Sequence, residues 1–167
     1  MKCRICQSQN LKLVIDLGFQ PWCNDFLLSS RVGLESRYPL RLMYCCDCHL
    51  AQLDYTVKKE IMFGDHTYLS GTTQSLSNHF KEIALKVDGR FQSNQKGKSI
   101  LDIGSNDGTL LKHFQDIGYD VLGVESSIKT AKIANDEGIP TINDFFNLAV
   151  MERIGRKFNF INASGVF

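Results

Sequence analysis

Long apolar runs and an excess of charge of either sign are both missing from this 167-residue chain. No apolar run approaches the roughly 20 residues that a membrane-spanning helix needs, and the polar N-terminus lacks the apolar region of a secretion signal. The formal net charge is +1, so there is no electrostatic reason to expect nucleic acid or an acidic membrane as a partner. The sequence therefore predicts a cytoplasmic protein with reduced cysteines and with no nucleic-acid or membrane partner.

Six cysteines stand out against this ordinary composition. Four of them form two pairs with the same spacing, Cys3-x-x-Cys6 and Cys45-x-x-Cys48. Two such knuckles supply four thiolates, which can close a tetrahedron around zinc and leave no position open for catalysis. We therefore predict a structural zinc site in an N-terminal module that spans residues 1–60.

The second knuckle also contains a rival pair of ligands with the same spacing, Cys46-x-x-His49. Between the two knuckles, apolar alternation predicts two strands, in the stretches LKLVIDLG and YPLRLMY. The N-terminal module is therefore expected to be small and rich in β structure.

A glycine loop organises the second half of the chain. A short apolar run that ends at Ile103 leads directly into Gly104-Ser105-Asn106-Asp107-Gly108, and helical spacing of apolar residues follows. A strand, a glycine loop and a helix in this order open many α/β nucleotide sites. Free backbone N–H groups of the loop and the positive end of the helix are expected to hold an anionic or polar ligand.

The residues around the loop favour one ligand class. Asn106 and Thr109 replace the second and third glycines of the dinucleotide-binding G-x-G-x-x-G pattern. Asp102 and Asp107 offer carboxylates, which repel phosphate and suit the cationic end of an amino acid. Glu125 ends the next apolar run and is placed to accept hydrogen bonds from ribose hydroxyls. An adenosine ligand with an amino-acid tail and no phosphate fits best, which is S-adenosylmethionine.

Strands and helices continue to alternate up to residue 163. Right-handed crossovers then predict a parallel sheet with the strand order 3-2-1-4. The predicted fold class is α/β, with a small zinc-binding β-rich module followed by an incomplete Rossmann-like sheet of four strands. The predicted domains are residues 1–60, a connector loop and helix over 61–98 in which Gly89 ends the helix, and a partial cofactor-binding domain over 99–167.

The stretches LDIGSNDGTLL, GVESS and NDFF, together with the cysteine pattern, resemble the class I methyltransferases. More narrowly, they resemble C-methyltransferases that act on nucleotide-linked deoxysugars and carry an N-terminal zinc-binding module. The resemblance favours Cys45 and Cys48 over the rival pair. It implies S-adenosylmethionine as cofactor, with these residues at the cofactor site: Tyr68, Ser70, Asp102, Gly104, Ser105, Asn106, Glu125, Asp144 and Phe145.

The family's aromatic D-Y-x-Y-x-S motif reads Asp65-His66-Thr67-Tyr68-Leu69-Ser70 in this chain. Tyr68 and Ser70 match the motif, whereas His66 replaces its first tyrosine. The resemblance implies that Tyr68 and His66 face the acceptor, where a histidine can carry a proton near neutral pH.

The implied reaction transfers a methyl group to a sugar carbon next to a keto group, after a base has removed the α proton. The family's remaining strands and its histidine base would lie beyond residue 167, so we expect a truncated protein or a fragment. We also expect it to have marginal stability over residues 99–167 and weak turnover. Two alternatives are an O- or N-methyltransferase acting on another small molecule, and a non-catalytic zinc-binding interaction module with a vestigial cofactor fold.

Overall fold

The structure is a computed structural model that describes residues 1–23, 26–64, 68–90 and 97–166. The chain divides into two compact units, Met1–Met62 and Phe63–Phe167, which are described separately below.

The first unit is built on an antiparallel sheet with the strand order β1-β2-β3. Its strands are β1 (Leu11–Pro21), β2 (Arg37–Cys45) and β3 (Ala51–Leu53). Leu11 pairs with Cys45, so the N-terminal end of β1 lies beside the second cysteine knuckle. A single 3-10 turn covers Ser29–Arg31, and the short helix α1 (Lys59–Phe63) follows the sheet. The sequence indicated β1 and β2, whereas β3 and α1 were not predicted.

The second unit is a parallel four-stranded sheet with helices on both faces. After a 3-10 turn at Ser70–Thr72 and the helix α2 (Gln74–Arg90), strands and helices alternate. These elements are β4 (Ser99–Ile103), α3 (Thr109–Asp116), β5 (Asp120–Glu125), α4 (Ile128–Asp136), β6 (Thr141–Asn143), α5 (Leu148–Ile154) and β7 (Phe160–Ala163). The sheet order is β6-β5-β4-β7, which confirms the predicted order 3-2-1-4.

Side chains alternate between the two faces of β4 because successive residues of a strand point in opposite directions. Ile100 packs with Phe114 and Ala84 from helices α3 and α2 on one face. Leu101 and Ile103 pack with Val150 from helix α5 in a second cluster. Since both faces of the sheet are covered, the central strands β4 and β5 are largely apolar, as buried parallel strands usually are.

Helix α2 differs from its prediction. It continues through Gly89 to Arg90, so the prediction that Gly89 ends the helix was wrong. The three-part division of the chain stays a prediction, although Ala84 of α2 lies in the same apolar cluster as β4 and α3. Within the described ranges, no helix has the length and apolar character needed to cross a membrane.

Candidate functional site

Four cysteine sulfurs converge in the first unit. The Sγ atoms of Cys3, Cys6, Cys45 and Cys48 all lie within 4.8 Å of one another. Cys3 Sγ is 3.5 Å from Cys48 Sγ, and Cys6 Sγ is 3.6 Å from Cys45 Sγ. A tetrahedral zinc site with zinc–sulfur bonds of about 2.3 Å has sulfur–sulfur edges of about 3.8 Å. The cluster therefore fits zinc with four thiolate ligands.

The two knuckles share one backbone geometry. The N–H of Gln7 donates to the carbonyl of Cys3 at 3.1 Å, and the N–H of His49 donates to the carbonyl of Cys45 at 2.9 Å. Gln7 and His49 both have a positive φ, 61° and 64°, which turns the chain back after each pair of ligands. A hydrogen bond from the backbone N–H of Cys6 helps to lower the pKa of Cys3 to about 6, whereas contacts with the neighbouring thiols help to raise the pKa of Cys6 to about 12. Without a metal, the four sulfurs thus do not all favour the thiolate.

The rival ligand pair lies outside this cluster. Cys46 is exposed, and its neighbour His49 contacts the hydroxyl of Tyr44 through its Nδ1 atom. Gln52, which the sequence analysis did not single out, is buried and accepts a hydrogen bond from the N–H of Arg4 at 2.9 Å. Gln52 thereby connects the first knuckle to β3. The sequence offered one signal that the Gln52 side chain points inward: side chains alternate along a strand, and Gln52 lies between Ala51 and Leu53.

Two carboxylates lie near the carboxyl ends of adjacent strands in the second unit. Asp102 of β4 and Glu125 of β5 are both buried. Asp102 Oδ1 accepts a hydrogen bond of 2.7 Å from Nδ2 of Asn162, the residue opposite it on the neighbouring strand β7. Burial raises the pKa of Asp102 to about 7; the hydrogen bond from Asn162 opposes the rise and the charge of Glu125 adds to it.

Glu125 connects three parts of the site. Its Oε2 atom accepts the N–H of Asn106 at 2.9 Å, and its Oε1 atom accepts the N–H of Ser127 at 2.7 Å. Ser127 is the N-cap of α4, so the carboxylate joins the end of β5 to the glycine loop and to this helix. Because a carboxylate has about four acceptor positions, these two bonds leave room for a ligand hydroxyl.

Most backbone N–H groups of the glycine loop are already bonded within the protein. Acceptors bind the N–H groups of four of the five loop residues, Gly104, Ser105, Asn106 and Gly108, and also that of Thr109 at the start of α3. The acceptors include the carbonyl of Val124, at 2.8 Å from Gly104 N and 3.2 Å from Ser105 N. For these residues the expectation that free N–H groups would hold the ligand was therefore wrong. Their hydrogen bonds instead hold the loop backbone against the end of β5.

At two positions of the site, a neighbouring side chain lies so close to the backbone that only glycine fits. Gly104 has a φ of 71°, and a Cβ atom there would lie 2.5 Å from a methyl group of Val166. A Cβ atom at Gly123 would lie 2.9 Å from the Cβ of Ser105. The hydroxyl of Ser105 is buried beside Gly123 and has no hydrogen-bond partner among the described residues. The Ser105 side chain therefore packs against β5.

The Tyr68 segment docks onto the glycine loop through hydrogen bonds. Asn106 accepts from the N–H of Ser70 and donates to the carbonyl of Tyr68, both at 2.9 Å. The ring of Tyr68 is about half exposed, at 51%. His66 lies outside the residues that the structure describes, so its position relative to Tyr68 stays a prediction.

Asp144 and Phe145 follow β6, the next strand along the sheet. The N–H of Asp144 donates to the carbonyl of Glu125 at 3.1 Å, which places Asp144 beside the end of β5. Its carboxylate accepts the N–H of Phe145 at 2.8 Å and forms an exposed ion pair with Arg153 at 3.3 Å. The predicted cofactor residues near the ends of β4, β5 and β6 thus lie along one edge of the sheet.

The parallel sheet, the glycine loop and the strand-end carboxylates define a Rossmann-like α/β domain with a site for a polar nucleoside. Residues 76–167, more than half of the chain, match the family described as "Methyltransferase domain", and the chain belongs to this family. Residues 3–63 match the family described as "Putative zinc binding domain". These matches confirm the predicted fold class and the resemblance to methyltransferases that carry an N-terminal zinc-binding module.

Three known proteins show what the chain is similar to. The chain is 27% identical to the C-methyltransferase NovU of Streptomyces niveus over 157 residues, which are 93% of this chain and 37% of NovU. The chain thus spans little more than a third of this curated relative. Among solved structures, it is similar to the plantazolicin methyltransferase BpumL in complex with SAH, at 19% identity and a TM-score of 0.42, over 55% of this chain and 37% of that one. It is also similar to DesVI of Streptomyces venezuelae, at 25% identity and a TM-score of 0.41, over 52% of this chain and 35% of DesVI.

Proposed function

We propose that this chain forms the zinc-binding and cofactor-binding part of an S-adenosylmethionine-dependent C-methyltransferase. Its membership of the methyltransferase domain family supports the reaction class. The observation that carries the proposal is the pair of buried carboxylates, Asp102 and Glu125, at neighbouring strand ends. Since most N–H groups of the glycine loop are already bonded, these two carboxylates dominate the charge of the site.

The charge of the site fits a cationic nucleoside. Among the residues that the structure describes, neither Asp102 nor Glu125 belongs to an ion pair. A buried carboxylate without a cationic partner is costly, and the raised pKa of Asp102 reflects that cost. A ligand with an ammonium group and ribose hydroxyls offsets the cost, whereas a pyrophosphate adds repulsion.

Each residue has a role in this proposal. Asp102 attracts the cationic end of the ligand, Glu125 accepts from its ribose, and Gly104 allows the positive φ with which the loop begins. Asp144 and Phe145 contact the adenine, and Ser105, Asn106 and Ser70 shape the wall of the site. When bound, S-adenosylmethionine supplies an electrophilic methyl group on its sulfonium. Tyr68, together with His66, faces the acceptor and orients it.

We further propose a nucleotide-linked keto-deoxysugar as the acceptor in the complete enzyme. The name of NovU, a C-methyltransferase, supports transfer to carbon, and the sugar rests on the motifs around the glycine loop. All six cysteines are free thiols, which suits a reducing, cytoplasmic location. The zinc closes its coordination with four protein ligands, so it stabilises the N-terminal unit and takes no part in methyl transfer.

Calorimetric titration of the full chain with S-adenosylhomocysteine tests the cofactor site. We expect one binding site, and Glu125→Gln should weaken binding by on the order of tenfold or more, because an amide cannot accept both backbone N–H bonds. Asp116→Asn is the matched control, since Asp116 is an exposed carboxylate on α3 that pairs with Lys112. ATP, which shares the adenosine but adds phosphates, should not bind. Binding of ATP instead of S-adenosylhomocysteine would overturn the proposal.

A further inference from the structure

Three hydrogen bonds hold residues 68–71 on the glycine loop. Two involve the side-chain amide of Asn106, which donates to Tyr68 O and accepts from the N–H of Ser70. In the third, Asp107 Oδ2 accepts the N–H of Gly71 at 2.7 Å. All three pair a loop side chain with the backbone of a segment about 36 residues earlier in the chain. These three bonds therefore join side chains of the loop to the backbone of the docked segment.

Asn106 is itself held in an unusual conformation. Its φ is 52°, in the left-handed region that non-glycine residues other than asparagine and aspartate rarely adopt. Its backbone N–H donates to Glu125 Oε2, which holds the Asn106 backbone beside the end of β5. Both ends of the amide are then used, with Oδ1 accepting from Ser70 and Nδ2 donating to Tyr68.

Gly71 provides a separate sign of tight docking. A Cβ atom at this position would lie 2.7 Å from Oγ1 of Thr109 and 3.2 Å from Oδ2 of Asp107. Thr109 is the first residue of α3. The backbone of the docked segment thus lies against the start of α3 more closely than any side chain would allow.

We propose that Asn106 is a positioning residue that couples the Tyr68 segment to the cofactor loop. The proposal rests on the proposed function, in which the ligand's ribose binds Glu125, the same carboxylate that orients Asn106. A ligand that orders Glu125 and Asn106 also orders residues 68–71. By reciprocity, docking of this segment strengthens ligand binding. Cofactor binding would in this way prepare the backbone that carries Tyr68 before the acceptor arrives.

Amide hydrogen exchange of the full chain, with and without S-adenosylhomocysteine, tests this coupling. Asn106→Gly removes both side-chain bonds and leaves the positive φ unstrained. We expect the Ser70 amide of this variant to exchange on the order of tenfold faster than in the wild type, with β4 and β5 unchanged. Asn106→Asp keeps the acceptor of the Ser70 N–H and should restore the protection of Ser70, although it loses the Nδ2 donor to the carbonyl of Tyr68.

Gly71→Ala disrupts the docking without changing any loop residue. Gly89→Ala is its matched control, because a Cβ atom at Gly89 meets nothing within 4 Å. S-adenosylhomocysteine should slow exchange at Ser70 and Gly71 in the wild type and in Gly89→Ala, and it should fail to do so at Ser70 and residue 71 in Gly71→Ala. Equal ligand-induced protection in Gly71→Ala, or wild-type exchange at Ser70 in Asn106→Gly, would overturn the proposal. Exchange measured without ligand tests the docking by itself. Failure of the wild type to bind S-adenosylhomocysteine would therefore count against the proposed function and not against the docking.

Discussion

Asp102 shows how a single residue can trade stability for binding. It lies buried at the carboxyl end of β4 with Asn162 as its hydrogen-bond donor. Burial raises its pKa from the ordinary value of 3.8 to about 7. Between these two pH values the folded chain holds a proton that the unfolded chain has released. The free energy of unfolding should therefore fall as the pH rises from about 4 to about 7.

Asp102→Asn should remove this dependence, since the amide stays neutral and its oxygen still accepts from Asn162. At pH 8 we expect the variant to be more stable than the wild type by about 1–3 kcal/mol. It should also lose affinity for S-adenosylhomocysteine, because the ligand's ammonium loses its counter-charge. Urea unfolding at pH 5 and pH 8, with calorimetric titration, measures both effects. Asp116→Asn is the exposed control, and lower stability of Asp102→Asn at pH 8 would contradict the prediction.

The sequence was sufficient to place Asp102 and Glu125, because each directly ends or interrupts an apolar run that had to be a buried strand. It could not reveal their partners. Asn162 reaches Asp102 from 60 residues away, through the pairing of β4 with β7. Likewise, the side chain of Asn106 binds the Tyr68 segment, a contact that arises only when the sheet and the preceding segment pack together.

At the scale of elements, the start of α3 depends on a glycine for two reasons. Gly108 is the N-cap residue with a φ of 78°. A Cβ atom there would also lie 3.1 Å from Ile139 and 3.2 Å from Ala134, both in the apolar core. Gly118, just after the same helix, has a φ of 87° but open space around it. Comparing alanine substitutions at Gly108 and Gly118 therefore separates the free-energy cost of backbone strain from the cost of steric crowding.

Gly118→Ala should lower the free energy of unfolding by about 1 kcal/mol, the usual cost of a left-handed conformation for alanine. Gly108→Ala should cost about 2–4 kcal/mol, because crowding against Ile139 and Ala134 adds to the same strain. Denaturant unfolding of both variants gives the difference directly. Equal losses in the two variants would show that the core around Ile139 relaxes freely and that only the backbone conformation matters.

Helices and strands could be predicted from the sequence where their apolar periodicity extends over many residues. Helix α2 has 17 residues and its apolar face was clear, but its end at Gly89 was predicted wrongly. An internal glycine costs a helix only about 1 kcal/mol, and packing of Phe80, Ile83 and Val87 against the core offsets that cost. Strand β3 has 3 residues and helix α1 has 5, too few to show any periodicity.

At the scale of the whole molecule, the two units differ in what stabilises them. Among the described residues of the first unit, only Cys3, Cys45 and Gln52 are buried. The apolar side chains of β1 are largely exposed, including Phe19 at 64%. The second unit instead has two apolar clusters, one on each face of its sheet. Units with so little core need another source of stability, and a four-thiolate zinc site provides it.

Removal of zinc should therefore unfold the first unit selectively. After treatment with a chelator, we expect amides of β1 and β2 to exchange at rates close to those of an unfolded chain, while amides of β4 and β5 keep the protection they had before. Cys6→Ser should have the same effect without chelator. Cys46→Ser should not, because Cys46 is exposed and lies outside the cluster although it is adjacent to Cys45. Full protection of β1 and β2 in the metal-free chain would mean that the hairpin is stable on its own, and the thiolate cluster would then need a purpose other than folding.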